Sequence, residues 1–493
     1  MDSPFMTTFF RSLFHCRACL KQSSTVTRLN GISRTRTGLD AYGLGRRHYG
    51  FGAKPRDVAW QPRQSNFIED MSEEYQRYPM VTAELLKTRR ERPKRVKMLV
   101  RDFIDDALYN PHYGYFSKEA VIFSAGEPFN FNSFQDALEF NDAFGKRYTE
   151  FEDKLDAIEY NELRQLWHTP TELFQPYYGE AVARYLVANY KLSLYPYHDL
   201  ILYEMGAGNG TLMRNIMDCI RDSDPDVYQR TQYKIIEISP QLAALQRAQV
   251  GDHKDHVEIV NRSIFDWKSP VHNPVYFIAM EVFDNFAHDM LRYDPFTEQA
   301  LQGIVLIDDK GDFYEFYTAQ LDPVAERYLR LRKSAFRRGL KHPLNTPRFL
   351  RNLCTRLPFS PNLTEPEFIP TKLMGFFDVL RTYFPNHRLL ASDFHSLPDA
   401  IEGVNAPVVQ TRYQRQMVPV STVFVEQGYF DILFPTDFEA MEDMYQALTG
   451  KLTRVMKHEE FARSWADLEA TQTRSGENPL VGWYQNASVL SSV

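Results

Sequence analysis

The sequence predicts an α/β protein built on a Rossmann-like, doubly wound sheet. Three observations carry that prediction. Short apolar runs suited to buried strands recur between residues 200 and 284, and stretches with apolar residues at helical spacing follow the first two of them. The first run, DLILYE, passes into a helix through a G-x-G-x-G turn made by Gly206, Gly208 and Gly210. Acids stand at the ends of the runs: Glu204 before the glycines, then Glu237, Asp266, and Glu281 with Asp284. Doubly wound sheets gather their ligands at the carboxyl edge of the strands, where these acids fall.

The elements follow in chain order. Residues 1–56 hold ten Lys or Arg against the two acids Asp2 and Asp40, and many Ser and Thr. Within MTTFFRSLFHCRACLK, Phe9, Phe10, Leu13 and Phe14 can share a helical face while Arg11 and Lys21 lie elsewhere. That amphipathic, arginine-rich, acid-poor pattern is the signature of a mitochondrial transit peptide, with Arg46-Arg47-His48-Tyr49 suited to processing and a mature chain beginning near Gly50. A disordered basic tail is the alternative. Losing this segment would move the formal net charge from −7 to −15. Cys16 and Cys19 lie inside it, with no second pair at zinc-site spacing, and Cys219 and Cys354 are isolated and expected to be buried. Neither a metal site nor a disulfide framework is expected.

Residues 57–195 read as an amino-terminal arm, loosely held over 57–85, followed by a basic cluster from Lys87 to Arg101 and then a helical cap over the sheet edge. Residues 196–300 form the ligand-binding core. After the glycine turn and its helix, YKIIEIS ends in Glu237, placed to accept hydrogen bonds from both ribose hydroxyls of an adenosine. A helix from Pro240 to Val250 follows, with Leu242, Leu245 and Val250 on one side. A third strand, HVEIVNRSIFDW, brings Asp266 to where an adenine amino group could be met. The fourth, VYFIAMEVFDN, closes with Glu281 and Asp284.

Residues 301–385 form an insertion: a hairpin around Asp308-Asp309-Lys310-Gly311, then helical sequence from Glu326 to about Leu380. Between Arg327 and Arg356 there are ten Lys or Arg and no acid, a patch that either steers an acidic partner or forms a solvated helix face. Residues 386–493 return to strands that complete the sheet, with Asp393 at a strand end, and finish in terminal helices. No run reaches the roughly 18 apolar residues of a membrane span.

Glycine at alternate positions permits positive φ and lets a backbone approach a ligand closely. The spacing differs from the dinucleotide fingerprint G-x-G-x-x-G, because Leu212 and Met213 occupy the ground of its third glycine, which argues against a nicotinamide-dependent oxidoreductase. EMGAGNGTL, IEISPQLAALQ and AMEVFDNFAH, in that order, resemble landmarks of the MidA-like family of S-adenosylmethionine-dependent methyltransferases. RDFIDDALYNPHYGYFS, HTPTELFQPYYGEAVARYL, LLASDF and GYFDILFPTDFEAM resemble further family segments, so the likeness spans roughly residues 95 to 450. Two departures fall where the substrate should sit. Met280 and Ala287 replace the family's asparagine and proline, with a histidine displaced to His288, and SAGEPFNF keeps only Gly126 of a glycine-rich loop.

The resemblance implies S-adenosyl-L-methionine as cofactor, held by Glu204, Gly206, Gly208, Gly210, Glu237 and Asp266, and catalytic roles for Glu281 and Asp284. It implies a methyltransferase of the mitochondrial matrix acting on a protein arginine, with a respiratory complex I subunit as a partner and no nucleic acid. An assembly scaffold that keeps the fold without turnover is the second reading. Oligomeric state is left open.

Overall fold

A computed structural model describes residues 70–118, 120–337, 341–347, 351 and 362–492. The basic segment 1–56, with its expected transit peptide and its two cysteines, lies outside the described residues, as do Cys354 and parts of the basic patch after Arg337.

The centre is a seven-stranded sheet: β1 Leu200–Met205, β2 Thr231–Glu237, β3 Val257–Asn261, β4 Val275–Met280, β5 His387–Phe394, β6 Thr453–Lys457 and β7 Ala487–Ser492. Their order is β6-β7-β5-β4-β1-β2-β3. β1 to β5 pair in parallel, while β7 runs antiparallel to both β5 and β6. The direction of winding reverses between β1 and β4, and a crevice opens at such a switch point beyond the strand ends.

Alternation along β1 explains how both faces are covered. Leu200 and Leu202 point to one core, with α1 Tyr177–Ser193, α2 Thr211–Ser223 and part of α6 His458–Trp465. Ile201, Tyr203 and Met205 point to the other, with α4 Thr371–Tyr383 and α5 Phe438–Thr449. Every residue of β1 is buried, as a strand covered on both faces requires. On α2 the buried Leu212, Met213, Ile216, Met217 and Ile220 keep helical spacing, which confirms the period read from sequence.

Several local expectations are corrected. The helix α3 Pro240–Gln249 does not bury Leu245, which is 52% exposed; its inward residues are Ala243 and Gln246, because that face carries polar contacts to the glycine turn rather than an apolar seam. Strand β3 stops at Asn261, and Asp266 ends a single 3-10 turn, Ile264–Asp266. Residues 70–85 are not loosely held: Tyr75 is buried, its ring 4.7 Å from that of Phe316, and Lys97 Nζ donates to its carbonyl at 2.6 Å. Cys219 is half-buried rather than buried. Of the strands after residue 386, the segments Val408–Tyr413, Gln416–Val420 and Asp431–Leu433 form a separate three-stranded sheet instead of joining the central one.

The expected hairpin is present. Phe313 pairs with Ile307, and Asp308 Oδ1 accepts from the backbone N–H of Lys310, Gly311 and Asp312, fixing the turn. It belongs to a five-stranded antiparallel sheet with Val96–Leu99, Asp289–Tyr293 and Glu367–Ile369. Two distant sequence segments meet beside it. Gly428, at φ +84°, lies flush against the carbonyl of Tyr113, and Arg92 Nε donates to Gln427 O at 2.7 Å. Among the described residues no helix is long and apolar enough to cross a membrane.

Candidate active site

β1 delivers the chain to the switch point, where Gly206, Gly208 and Gly210 take φ of +71°, +53° and +86°. A Cβ at Gly206 would lie 3.0 Å from Val282 Cγ2, and one at Gly208 would lie 2.8 Å from Ile122 Cδ1. The turn is therefore bare backbone pressed between two apolar side chains. Gln246 on α3 steadies it from below: its Nε2 donates to Gly208 O at 2.9 Å and to Glu237 Oε2 at 2.8 Å. Glu237 is buried at the end of β2, and its other oxygen accepts from the Ser239 N–H at 2.8 Å. Glu204, on β1, accepts from Tyr233 OH at 2.8 Å. Burial, with the charge of Glu237 added, pushes its carboxyl up to about 7.

A cavity of about 270 Å³ opens over this turn. Glu204, Gly206 and Gly208 line it, and so do Glu281 and Asp284 from the end of β4. The other expected residues stand apart: Gly210 caps α2, Glu237 lies beneath the turn behind Gln246, and Asp266 is exposed. The glycine cradle suits S-adenosyl-L-methionine, because its Cβ-free backbone lets a large ligand lie against the strand end, and no phosphate-binding chemistry is required of it.

Beside Glu281 the structure gathers two acids from other strands. Asp393, at the end of β5, accepts from the N–H groups of Phe283 at 2.8 Å and Asp284 at 3.2 Å, which fixes the turn after β4. Asp431 Oδ1 accepts from Asn285 Nδ2 at 2.9 Å. No lysine or arginine forms an ion pair with any of the four carboxylates among the described residues, and Asp284 Oδ1 is enclosed without a hydrogen-bond partner. Burial and mutual repulsion lift Glu281 and Asp393 well above the carboxylate range; burial takes Asp284 to about 7, and burial plus the Asp284 charge takes Asp431 to about 8. Glu281 also holds φ at +53°, a left-handed conformation that a non-glycine residue adopts at a cost, with its N–H bonded to Ser392 O at 2.8 Å. The short 3-10 turn after it is capped by Val282, so Glu281 is no helix cap.

Stability should follow these protons. An aspartate raised to about 8 binds a proton in the folded chain that the unfolded chain releases near pH 4. The folded form is thus favoured at low pH, and that advantage is lost as pH climbs from about 4 to 8. Asp431→Asn keeps the acceptor for Asn285 but cannot titrate. Its denaturation midpoint should decline less than that of the parent chain between pH 5 and 8; parallel curves would refute the assignment.

Besides Asp431, three further polar residues of the cavity wall were not expected from sequence. Glu172 lies beside the glycine turn. Tyr484, at φ +54°, and His168 form a pair, Nδ1 to OH 3.0 Å, on the wall that faces Glu281. Burial depresses His168 to about 4, so its ring is neutral. The sequence offered one signal, since His168 and Glu172 both fall within the HTPTELF segment. His288 instead stacks on Phe434 at 3.8 Å and bonds Phe286 O, away from this cavity.

Residues 181–456 match a protein family described as "Putative S-adenosyl-L-methionine-dependent methyltransferase". The chain is 24% identical over 304 residues to the Schizosaccharomyces pombe "Protein arginine methyltransferase NDUFAF7 homolog, mitochondrial", covering 59% of this chain and 64% of that protein. It is 21% identical over 322 residues to the Saccharomyces cerevisiae protein of the same name, covering 62% of this chain and 74% of the other. The match thus spans less than two thirds of the fission yeast relative. A crystal structure of a Burkholderia thailandensis superfamily member bound to S-adenosyl-homocysteine superposes with a TM-score of 0.50 at 14% identity, over 80% of this chain and 88% of that one, and so shares the fold.

Proposed function

The chain belongs to this family of S-adenosyl-L-methionine-dependent methyltransferases, and from that premise we propose that it methylates an arginine of a mitochondrial protein. The observation that carries the proposal is the group of four carboxyls without an ion-pair partner among the described residues, Glu281, Asp284 and Asp431 on the cavity wall and Asp393 behind them, with the Asp284 Oδ1 enclosed and unbonded. A planar guanidinium offers five N–H donors in a fixed fork and a permanent charge, which matches a cluster that has acceptors to spare and no cation of its own. The names of the two yeast relatives support the same acceptor and a mitochondrial setting. The amino-terminal composition supports import, with the matrix as the compartment. A respiratory complex I subunit is the protein substrate we favour, with support of complex I assembly as the outcome.

Glu204, Gly206 and Gly208, which line the cavity, are the residues proposed to hold the cofactor, and Glu281 and Asp284 those proposed to act on the acceptor. When bound, S-adenosyl-L-methionine supplies an electrophilic methyl group on a sulfonium. The chain supplies position. Glu281 and Asp284 fix the guanidinium in plane, Asp393 holds the turn that carries them, and the raised proton affinity of Glu281 suits its carboxylate to take the proton that the acceptor nitrogen gives up. Entry of the cation lowers the proton affinity of its neighbours, so binding should release protons.

The test is to incubate the purified chain with methyl-labelled S-adenosyl-L-methionine and a mitochondrial extract, then locate label by mass spectrometry. Methylarginine on a protein is the expected result, and label confined to lysine or to small molecules refutes the arginine reading. Cofactor binding without any transfer favours the scaffold, a reading prompted by Met280 standing where the family has asparagine.

A further inference from the structure

Glu172 lies on the single-turn helix Pro170–Leu173 and is 2% exposed. Its two oxygens differ sharply. Oε1 accepts from Asn209 Nδ2 at 3.0 Å and from Thr211 Oγ1 at 2.6 Å, so it is tied to the glycine turn and to the first residue of α2. Oε2 is enclosed and has no hydrogen-bond partner among the described residues. The side chain nevertheless lines the cavity, next to Gly206, Gly208 and Asn209. Thr211 and Asn209 already stabilise the carboxylate form, against the desolvation that lifts its proton affinity. A buried, half-satisfied carboxylate is costly unless a donor completes it, and a donor with positive charge completes it best.

We propose that Glu172 Oε2 receives the α-ammonium of the cofactor's methionine moiety, so that one carboxylate both anchors the glycine turn and reads the amino-acid end of the ligand. An ammonium carries three donors and no acceptor, the complement of a bare carboxylate oxygen. The alternative partners on the ligand are ribose hydroxyls and the adenine amino group, and they are separable from the ammonium by chemistry. 5′-Methylthioadenosine keeps the ribose and adenine and lacks the amino acid. Glu204, the acid of the cavity wall that precedes the glycine turn, has one oxygen engaged by Tyr233 and is the competing candidate.

Titration calorimetry of the purified full-length chain with S-adenosyl-homocysteine and with 5′-methylthioadenosine tests this. In Glu172→Gln the amide oxygen can still accept from Asn209 and Thr211, but an N–H₂ group replaces Oε2 and faces the ammonium. S-adenosyl-homocysteine should then bind at least about tenfold more weakly, the scale of a hydrogen bond to a charged group, while 5′-methylthioadenosine changes less than about twofold. Glu172→Asp, which keeps the charge but withdraws it, should give a smaller loss confined to the same ligand. Equal weakening of both ligands, or of neither, overturns the proposal, as does a selective loss seen in Glu204→Gln in place of Glu172→Gln. The acceptor chemistry is not probed, so the outcome is independent of the arginine reading.

Discussion

Glu281→Gln is expected to lower methyl transfer at least about a hundredfold, in line with removing one positioned electrostatic group, while cofactor affinity stays unchanged. Glutamine keeps the length and planarity of the side chain, and it tolerates the same left-handed backbone, φ +53°, about as well as glutamate does. What it lacks is the negative charge and the basic oxygen that the proposed guanidinium acceptor requires. The glycine turn contacts the cavity from β1 rather than from β4, so the site expected for the cofactor is not disturbed. Single-turnover transfer to whichever mitochondrial protein the wild type labels, alongside calorimetry with S-adenosyl-homocysteine, measures both quantities. Equal rates would remove Glu281 from the acceptor site.

Gly428→Ala should destabilise the protein by roughly 3–5 kcal/mol, combining left-handed strain with overpacking. Gly428 sits at φ +84°, and a Cβ there would stand 1.7 Å from the carbonyl oxygen of Tyr113, a backbone atom that cannot swing aside. Gly482→Ala is the control: a Cβ at Gly482 meets nothing within 4 Å, and its cost should stay near the few tenths typical of unobstructed sites. Denaturant midpoints of the two variants decide it. A Gly428 variant as stable as the Gly482 one would mean that the two loops part without cost.

That contact also explains what was legible in the sequence. DALYNPHYGYF and GYFDILF are separated by some 300 residues, and although both resemble segments of one family, nothing in either indicates that Tyr113 and Gly428 touch. The strand, glycine turn and helix from Leu200 to Ser223 could be read because their signals are local: apolar alternation, positive-φ glycines, helical spacing. Glu281 and Asp284 could be placed at a strand end for the same reason. Asp393 was visible at a strand end, but its role in holding the backbone of Phe283 and Asp284 depends on β5 lying beside β4, which no local pattern encodes. Asp431, His168 and Tyr484 reach the cavity from three further segments. Leu242, Leu245 and Val250 do share one side of their segment, but that spacing does not tell which side faces inward: Leu245 is exposed, and the inward side of α3 carries Gln246, whose amide holds the glycine turn.

The place of β7 bears on how the protein reaches its native state. β7 comes last of the seven strands in the chain but sits inside the sheet, hydrogen-bonded to β5 on one side and β6 on the other. β5 is separated from it by about ninety residues, so the pairing carries a loop-closure penalty and forms late. Until residues 487–492 arrive, β5 presents a bare edge, and β6 has no neighbour to join. A chain cut short upstream of Ala487 is therefore expected to leave the facing edges of β5 and β6 unpaired and to aggregate more readily than the whole chain.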